Sequence, residues 1–259
     1  MPTCTSMYPA SDPHRRAQQH RTTPEECYPR AGRYATLCAA AAAVFCAAGL
    51  YIAFGVAPGI VDQGRHNLIV FIHIPSGWMS VLIYLATTIA SVLGRPGDRP
   101  VASMFASALA PTGALFAFLS LWSGSLWMKP NWGVWWIWEP RQTSQLLLLF
   151  LFLGYIALQE ATDDRRRADR LCGILAMAGM FALPLLYFSV RWWSAREGTL
   201  DLGLAVERNM DGALLCGLLA MTAGLFAYSC AVALTRLRIV ILERERDSEW
   251  ISRSFRVRR

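Results

Sequence analysis

Charge is scarce in this chain: Asp, Glu, Lys and Arg make up 17% of 259 residues, against 54% hydrophobic residues and a mean hydropathy of +0.32. A soluble domain carries more charge and less apolar residue, so the composition is that of a membrane protein. The chain also lacks every short cysteine motif. Among seven Cys there is no C-x-x-C and no C-x-x-C-H, which excludes a thioredoxin-like site and covalent c-type haem attachment. Five of them (Cys38, Cys46, Cys172, Cys216, Cys230) lie inside apolar runs and read as small apolar fillers. Paired carboxylates, a nucleophile with an adjacent base and a phosphate-cradling glycine loop are missing too, so nothing supports a hydrolytic enzyme. Residues 1–33 are polar and contain no apolar core of a cleavable signal peptide. They are expected to form a disordered cytoplasmic tail.

What is present is a series of six apolar segments, at about 35–57, 67–93, 101–121, 143–159, 171–190 and 212–235, each near the ~20 residues that a membrane-crossing helix needs. A single-pass segment in lipid must satisfy its backbone internally. The expected fold is therefore all-α: a polytopic membrane protein with a six-transmembrane-helix bundle over 34–242 and a basic cytoplasmic tail over 243–259. Basic residues set the orientation. With the N-terminus cytoplasmic, nineteen of the 25 Lys and Arg fall inside and six outside, where Asp62, Glu139, Glu197, Asp201, Glu207 and Asp211 balance them. This satisfies the positive-inside rule with both termini cytoplasmic. It also accounts for the net charge of +7, leaving no call for nucleic acid as a partner.

On that topology eight of the ten Trp fall on the outer side. Most belong to the segment 122–144, where Trp132, Trp135, Trp136 and Trp138 lead into Glu139-Pro-Arg141-Gln-Thr143-Ser144. An aromatic belt would populate both interfaces, so one-sided clustering favours a ligand surface. His73, in Phe71-Ile-His73-Ile-Pro75-Ser-Gly77, is expected one and a half to two turns into the second helix, ~9 Å deep. An imidazole there is costly unless paired or coordinating, while Gly77 would let a flat body approach. His66, on the same helical face and ~10.5 Å away, cannot share one iron with it from the opposite side. Glu139-Pro140 suits a helix N-terminus, and Arg141 pairs either with Glu139 or with a ligand carboxylate. An outer loop over 191–211 carries Trp192, Trp193 and Arg196, a second aromatic pair with guanidiniums for a planar acidic ligand or an interfacial anchor. Pro111 and Pro184 lie inside expected helices, a tolerated feature of membrane bundles.

Trp132-Gly-x-Trp135-Trp136-x-Trp138-Glu139-x-Arg141-x-Thr143-Ser144 resembles the "WWD" signature of haem-handling membrane proteins, W-G-x-W-W-x-W-D-x-R-x-T-S. The chain is most similar to the CcmC family of cytochrome c maturation. His73-x-Pro75, Ala110-Pro111-x-Gly113-Ala114, Gly124-Ser125-x-Trp127-x-Lys129-Pro130, Asp163-Asp164-Arg165-Arg166 and Ser189-Val-x-Trp192-Trp193 match in the same order, over residues 35–250. The resemblance implies binding of haem b at the outer face of the bacterial inner membrane and delivery to a periplasmic haem chaperone, CcmE. It also implies partnership with the ABC-transporter subunits CcmA and CcmB and the small subunit CcmD. In the family two outer-face histidines act as axial ligands; the first maps onto His73. Two positions depart from the pattern: Glu139 stands where the family has Asp, and Arg196 where the second histidine is expected. Arginine stays protonated and has no lone pair for iron. Two readings follow. Haem binds through His73, with Arg196 on a propionate and water, Met or another protein's residue on the second axial position. Alternatively the chain is a divergent paralogue serving as a structural subunit of a membrane complex.

Overall fold

The computed structural model describes residues 23–56, 68–94, 100–197 and 212–256, with the side chains of 182–183, 185–197 and 253–256 outside that description. The tail 1–22 with His14 and His20, His66, and the segment 198–211 also lie outside the described residues. The described chain is helical: α1 Pro24–Tyr51, continued by a π-helical turn Ile52–Val56, then α2 Val70–Gly94, α3 Pro100–Trp132, α4 Pro140–Glu160, α5 Arg165–Glu197, α6 Gly212–Arg244 and a short α7 Glu249–Arg256. Five of the six long helices (α1, α2, α3, α4 and α6) are long and apolar enough to cross a membrane.

Local chemistry explains where the helices begin and why several exceed expectation. Thr23 caps α1, its Oγ1 accepting from the Glu26 amide at 3.4 Å, with Pro24 in the first turn and Glu25 and Glu26 at the positive end of the helix dipole. Residues 24–33, which the sequence reading assigns to the tail, therefore belong to α1. At the other terminus α6 runs to Arg244, and the basic tail carries a short helix, α7. Trp250 of α7 meets Tyr28 at 6.1 Å between centroids and packs on Met104, Ala108, Leu237 and Ile241. α3 spans 33 residues, about 50 Å at the α-helical rise, so it outlasts a ~30 Å hydrocarbon layer. Its last three turns hold Trp122, Trp127 and Trp132. Within the segment 122–144 only 133–139 is loop.

α2 and α3 form the centre. They pack on each other and on α6; α4 lies against α3, α5 against α4 and α2, and α1 almost wholly against α6. Small residues permit these contacts, as is common between helices in lipid. Cys46 of α1 sits on Gly224 of α6, and Met221 of α6 covers Gly49 of α1. The largest apolar cluster lies among α2, α3, α4 and α5, around Met79, Ile83, Tyr84, Phe116, Leu148 and Phe152. Tyr84 and Phe152 meet edge to face at 5.3 Å, and the Tyr84 hydroxyl donates to the Ala176 carbonyl at 3.0 Å.

One end of the bundle is closed by charge. Arg244, in the last turn of α6, makes a bidentate pair with Asp169 of α5, at 2.9 and 3.0 Å. The same guanidinium donates to Ser103 and Ser107 of α3, both at 3.3 Å, and Gln159 of α4 donates to Ser107 at 2.6 Å. Four helices are thereby tied at one level.

Candidate functional site: a held imidazole beside a tryptophan loop

The opposite end gathers the sequence-predicted residues of α2 and α4 with polar groups of α3. His73 stands in the first turn of α2, three residues after Val70, and a 3₁₀ turn at Leu68 and Ile69 runs directly into that helix. Its Nδ1 lies 3.0 Å from the Ser120 carbonyl and 3.1 Å from Ser123 Oγ, both on α3. A carbonyl can only accept, so Nδ1 carries the proton. Ser123 agrees: its hydroxyl donates to the Leu119 carbonyl at 2.6 Å, which leaves its oxygen to accept from the imidazole. With the proton fixed on Nδ1, the lone pair is on Nε2. An imidazole held by one nitrogen in this way is the arrangement found behind metal-binding histidines.

Gly124 makes room for the ring. A Cβ there would lie 3.0 Å from His73 Cε1 and 3.3 Å from Gln142 Oε1, so α3, the imidazole and the buried Gln142 of α4 converge on a position without a side chain. Gln142 Nε2 also reaches Ser125 Oγ at 3.5 Å. One turn further along α4, Gln145 donates to Ser80 Oγ at 2.7 Å, and Ser80 donates to the Gly77 carbonyl. At Gly77 a Cβ would stand 3.3 Å from Ser120 Oγ, so α2 and α3 come close at this glycine. Arg141 precedes Gln142 in the first turn of α4.

The tryptophan loop begins where α3 ends. Gly133 takes a left-handed conformation, φ 75°, and its amide donates to the Lys129 carbonyl at 3.0 Å, a glycine C-cap. Lys129 reaches forward, its Nζ donating to the Gly133 carbonyl at 2.9 Å and lying 5.6 Å from the centre of the Trp135 ring. Asn131 Nδ2 donates to the Trp127 carbonyl, and Trp127 and Trp132 meet edge to face at 5.3 Å. Trp136 and Trp138 form a second such pair at 5.3 Å. Trp132, Trp135 and Trp138 are exposed, by 50%, 55% and 73%, so the loop presents indole surface instead of burying it. Trp136 is half-buried, and its Nε1 is a buried donor with no partner. Glu139 caps α4 by position only: its backbone is extended and its side chain makes no cap bond, with Pro140 next. That matches an acid whose extra methylene overshoots the first-turn amides.

Trp192, Trp193 and Arg196 lie within α5, which runs to Glu197, and not in a loop starting at 191; their side chains are outside the description. The structure thus brings His73 together with Ser120, Ser123, Gly124 and Gln142, at the end of the bundle where α3 runs into the tryptophan loop and α4 begins with Arg141 in its first turn. Ser120, Ser123, Gly124 and Gln142 around the imidazole, and Lys129 at the base of the loop, are positions that the sequence did not single out as site residues. No group of three His, Cys, Asp or Glu able to hold a metal ion occurs among the described residues.

Comparison with known proteins is consistent throughout. The family model of CcmC, described as heme exporter protein C, matches residues 18–252. The chain belongs to the CcmC family. Among its members, the heme exporter protein C of Escherichia coli strain K12 is 37% identical over 230 residues, covering 88% of this chain and 92% of the relative. That of Haemophilus influenzae is 32% identical over 228 residues, covering 88% and 93%. A putative cytochrome c biosynthesis ccmC-like mitochondrial protein of Arabidopsis thaliana is 30% identical over 199 residues, covering 76% and 74%. CcmC membership and five apolar helices together make this an integral membrane protein.

Proposed function

We propose that this chain binds haem b at the outer face of the inner membrane and delivers it to a periplasmic haem chaperone, CcmE, during biogenesis of c-type cytochromes. In this reading α5 is the sixth transmembrane helix, both termini are cytoplasmic and residues 133–139 are periplasmic. CcmA, CcmB and CcmD are its partner subunits, and lipid surrounds the apolar helix faces. The observation that carries the proposal is the fixed tautomer of His73, which keeps the Nε2 lone pair for iron at the end of the bundle where the indoles are exposed. Haem fits the residues present. One imidazole is oriented for coordination, Trp132, Trp135, Trp136, Trp138, Trp192 and Trp193 supply aromatic surface, and Arg141 and Arg196 supply cations for propionates. Trp136 Nε1 is a donor without a protein acceptor, as expected where a polar ligand edge belongs. Glu139 adds a negative charge at the mouth of the loop.

Haem is cargo here, to be released as well as held. Exposed indole surface suits release as well as binding.

Reduced-minus-oxidised spectra of the purified membrane protein test the reading. Native protein is expected to show haem bands, His73→Ala to lose them, and Arg196→His to shift them toward a low-spin two-histidine spectrum. Native protein without haem absorption, unchanged by His73→Ala, would instead favour a structural subunit that carries no haem.

A further inference from the structure

We infer that Lys129 is the positioning residue of the tryptophan loop, a clamp whose ammonium fixes the face that Trp135 offers to a planar ligand. Lys129 is the single lysine of a chain with 25 basic residues, and it stands in the last turn of α3, immediately before the loop. Its ammonium spans the helix end: one donor goes to the Gly133 carbonyl at 2.9 Å, while the charge lies over the Trp135 ring at 5.6 Å. Meanwhile the Gly133 amide returns to the Lys129 carbonyl at 3.0 Å. Residues 129 and 133 are therefore locked in both directions, by backbone and by side chain, and the indole two residues on is held against the same nitrogen. A compact ammonium with three donors can meet a carbonyl and an aromatic face at once; a planar guanidinium on a longer stem fits this span less well. A cation within about 6 Å of an indole centre attracts it measurably. Trp132, Trp135 and Trp138 are otherwise exposed, so without the clamp little protein packing would hold Trp135 in one orientation.

The inference rests on the haem reading for its consequence, though not for its geometry, and the two are tested separately. Reductive methylation with ¹³C-formaldehyde labels Lys129 and the N-terminus. In apoprotein the dimethyl-lysine signal should lie upfield of a free dimethyl-lysine because of the Trp135 ring current, and should return to the free position in Trp135→Leu. A native signal at the free position overturns the clamp regardless of any ligand. In haem-loaded protein, Lys129→Met should speed transfer of haem to apomyoglobin about tenfold, a change of the size that losing a cation–indole contact and a hydrogen bond brings. Its visible spectrum should stay native, since His73 is untouched, and Lys129→Arg should fall between the two rates. Native release from Lys129→Met overturns the positioning role. Failure of native protein to take up haem overturns the haem reading and leaves the resonance test standing.

Discussion

The two ends of the bundle use the same materials, polar side chains among packed apolar helices, to opposite effect. At the Asp169 end charge is closed on charge: the carboxylate takes both arms of Arg244, side chains of which 19% and 15% are exposed, and Ser103, Ser107 and Gln159 complete the set. Arg238 nearby has an unpartnered Nε, yet its guanidinium lies 4.4 Å from the Tyr28 ring centre. At the His73 end the polar groups are held but not consumed. His73 commits one nitrogen and keeps the other, Ser76 Oγ and Trp136 Nε1 are buried without partners, and three indoles face outward. A buried group left with capacity is costly in lipid, and under the proposed function that capacity is what a ligand would take up. The closed end supplies rigidity against which the open end is positioned.

That contrast can be broken most forcefully at the closed end. Asp169→Ala leaves the partly buried Arg244 with only Ser103 and Ser107, and should lower stability by about 2–3 kcal/mol, measured by thermal unfolding in detergent. Replacing both partners by apolar residues, Asp169→Leu with Arg244→Met, should recover most of that loss; equal damage from the double variant would show that the pair contributes more than mutual neutralisation. A smaller effect, arising at the open end, is expected of Gly124→Ala. The added methyl would stand 3.0 Å from His73 Cε1. Overpacking of this kind costs about 1–3 kcal/mol, so haem occupancy should fall and the unfolding midpoint should drop by roughly 2–10 °C. A full complement of haem in this variant would mean that the imidazole is not held where α3 places it. Smallest should be Ser123→Ala, which removes one of two acceptors at Nδ1 and leaves the Ser120 carbonyl. Interhelical hydrogen bonds in membrane bundles average about 0.6 kcal/mol, and a shift of that order in haem affinity is expected.

Much of this architecture was legible because apolar runs in lipid have few alternatives to helix. The six segments correspond to the six long helices, and Glu139-Pro140 marks the start of α4 as capping chemistry requires. The errors share a cause. Polar helical turns that extend a helix beyond its apolar run, such as 24–33 of α1, carry no hydrophobic signal, although Thr23-Pro24-Glu25-Glu26 is a legible helix start. For the site, His73 and the tryptophans stand out by residue type. Their supports do not: Ser120 and Ser123 lie 47 and 50 positions from His73, and serines are common in membrane helices for their small size alone. Asp169 is equally hidden. It sits among arginines that explain it locally, while its true partner is 75 residues away.

Gly133 shows what kind of constraint the tryptophan loop imposes. Nothing lies within 4 Å of where its Cβ would be, so there is ample space for a side chain; what excludes one is φ, at +75°. An L-residue there should cost about 1–2 kcal/mol through backbone strain alone. The requirement is therefore one of handedness and not of volume. A D-alanine introduced by chemical ligation would satisfy it, and by removing the freedom of glycine in the unfolded chain would stiffen the turn that launches the platform.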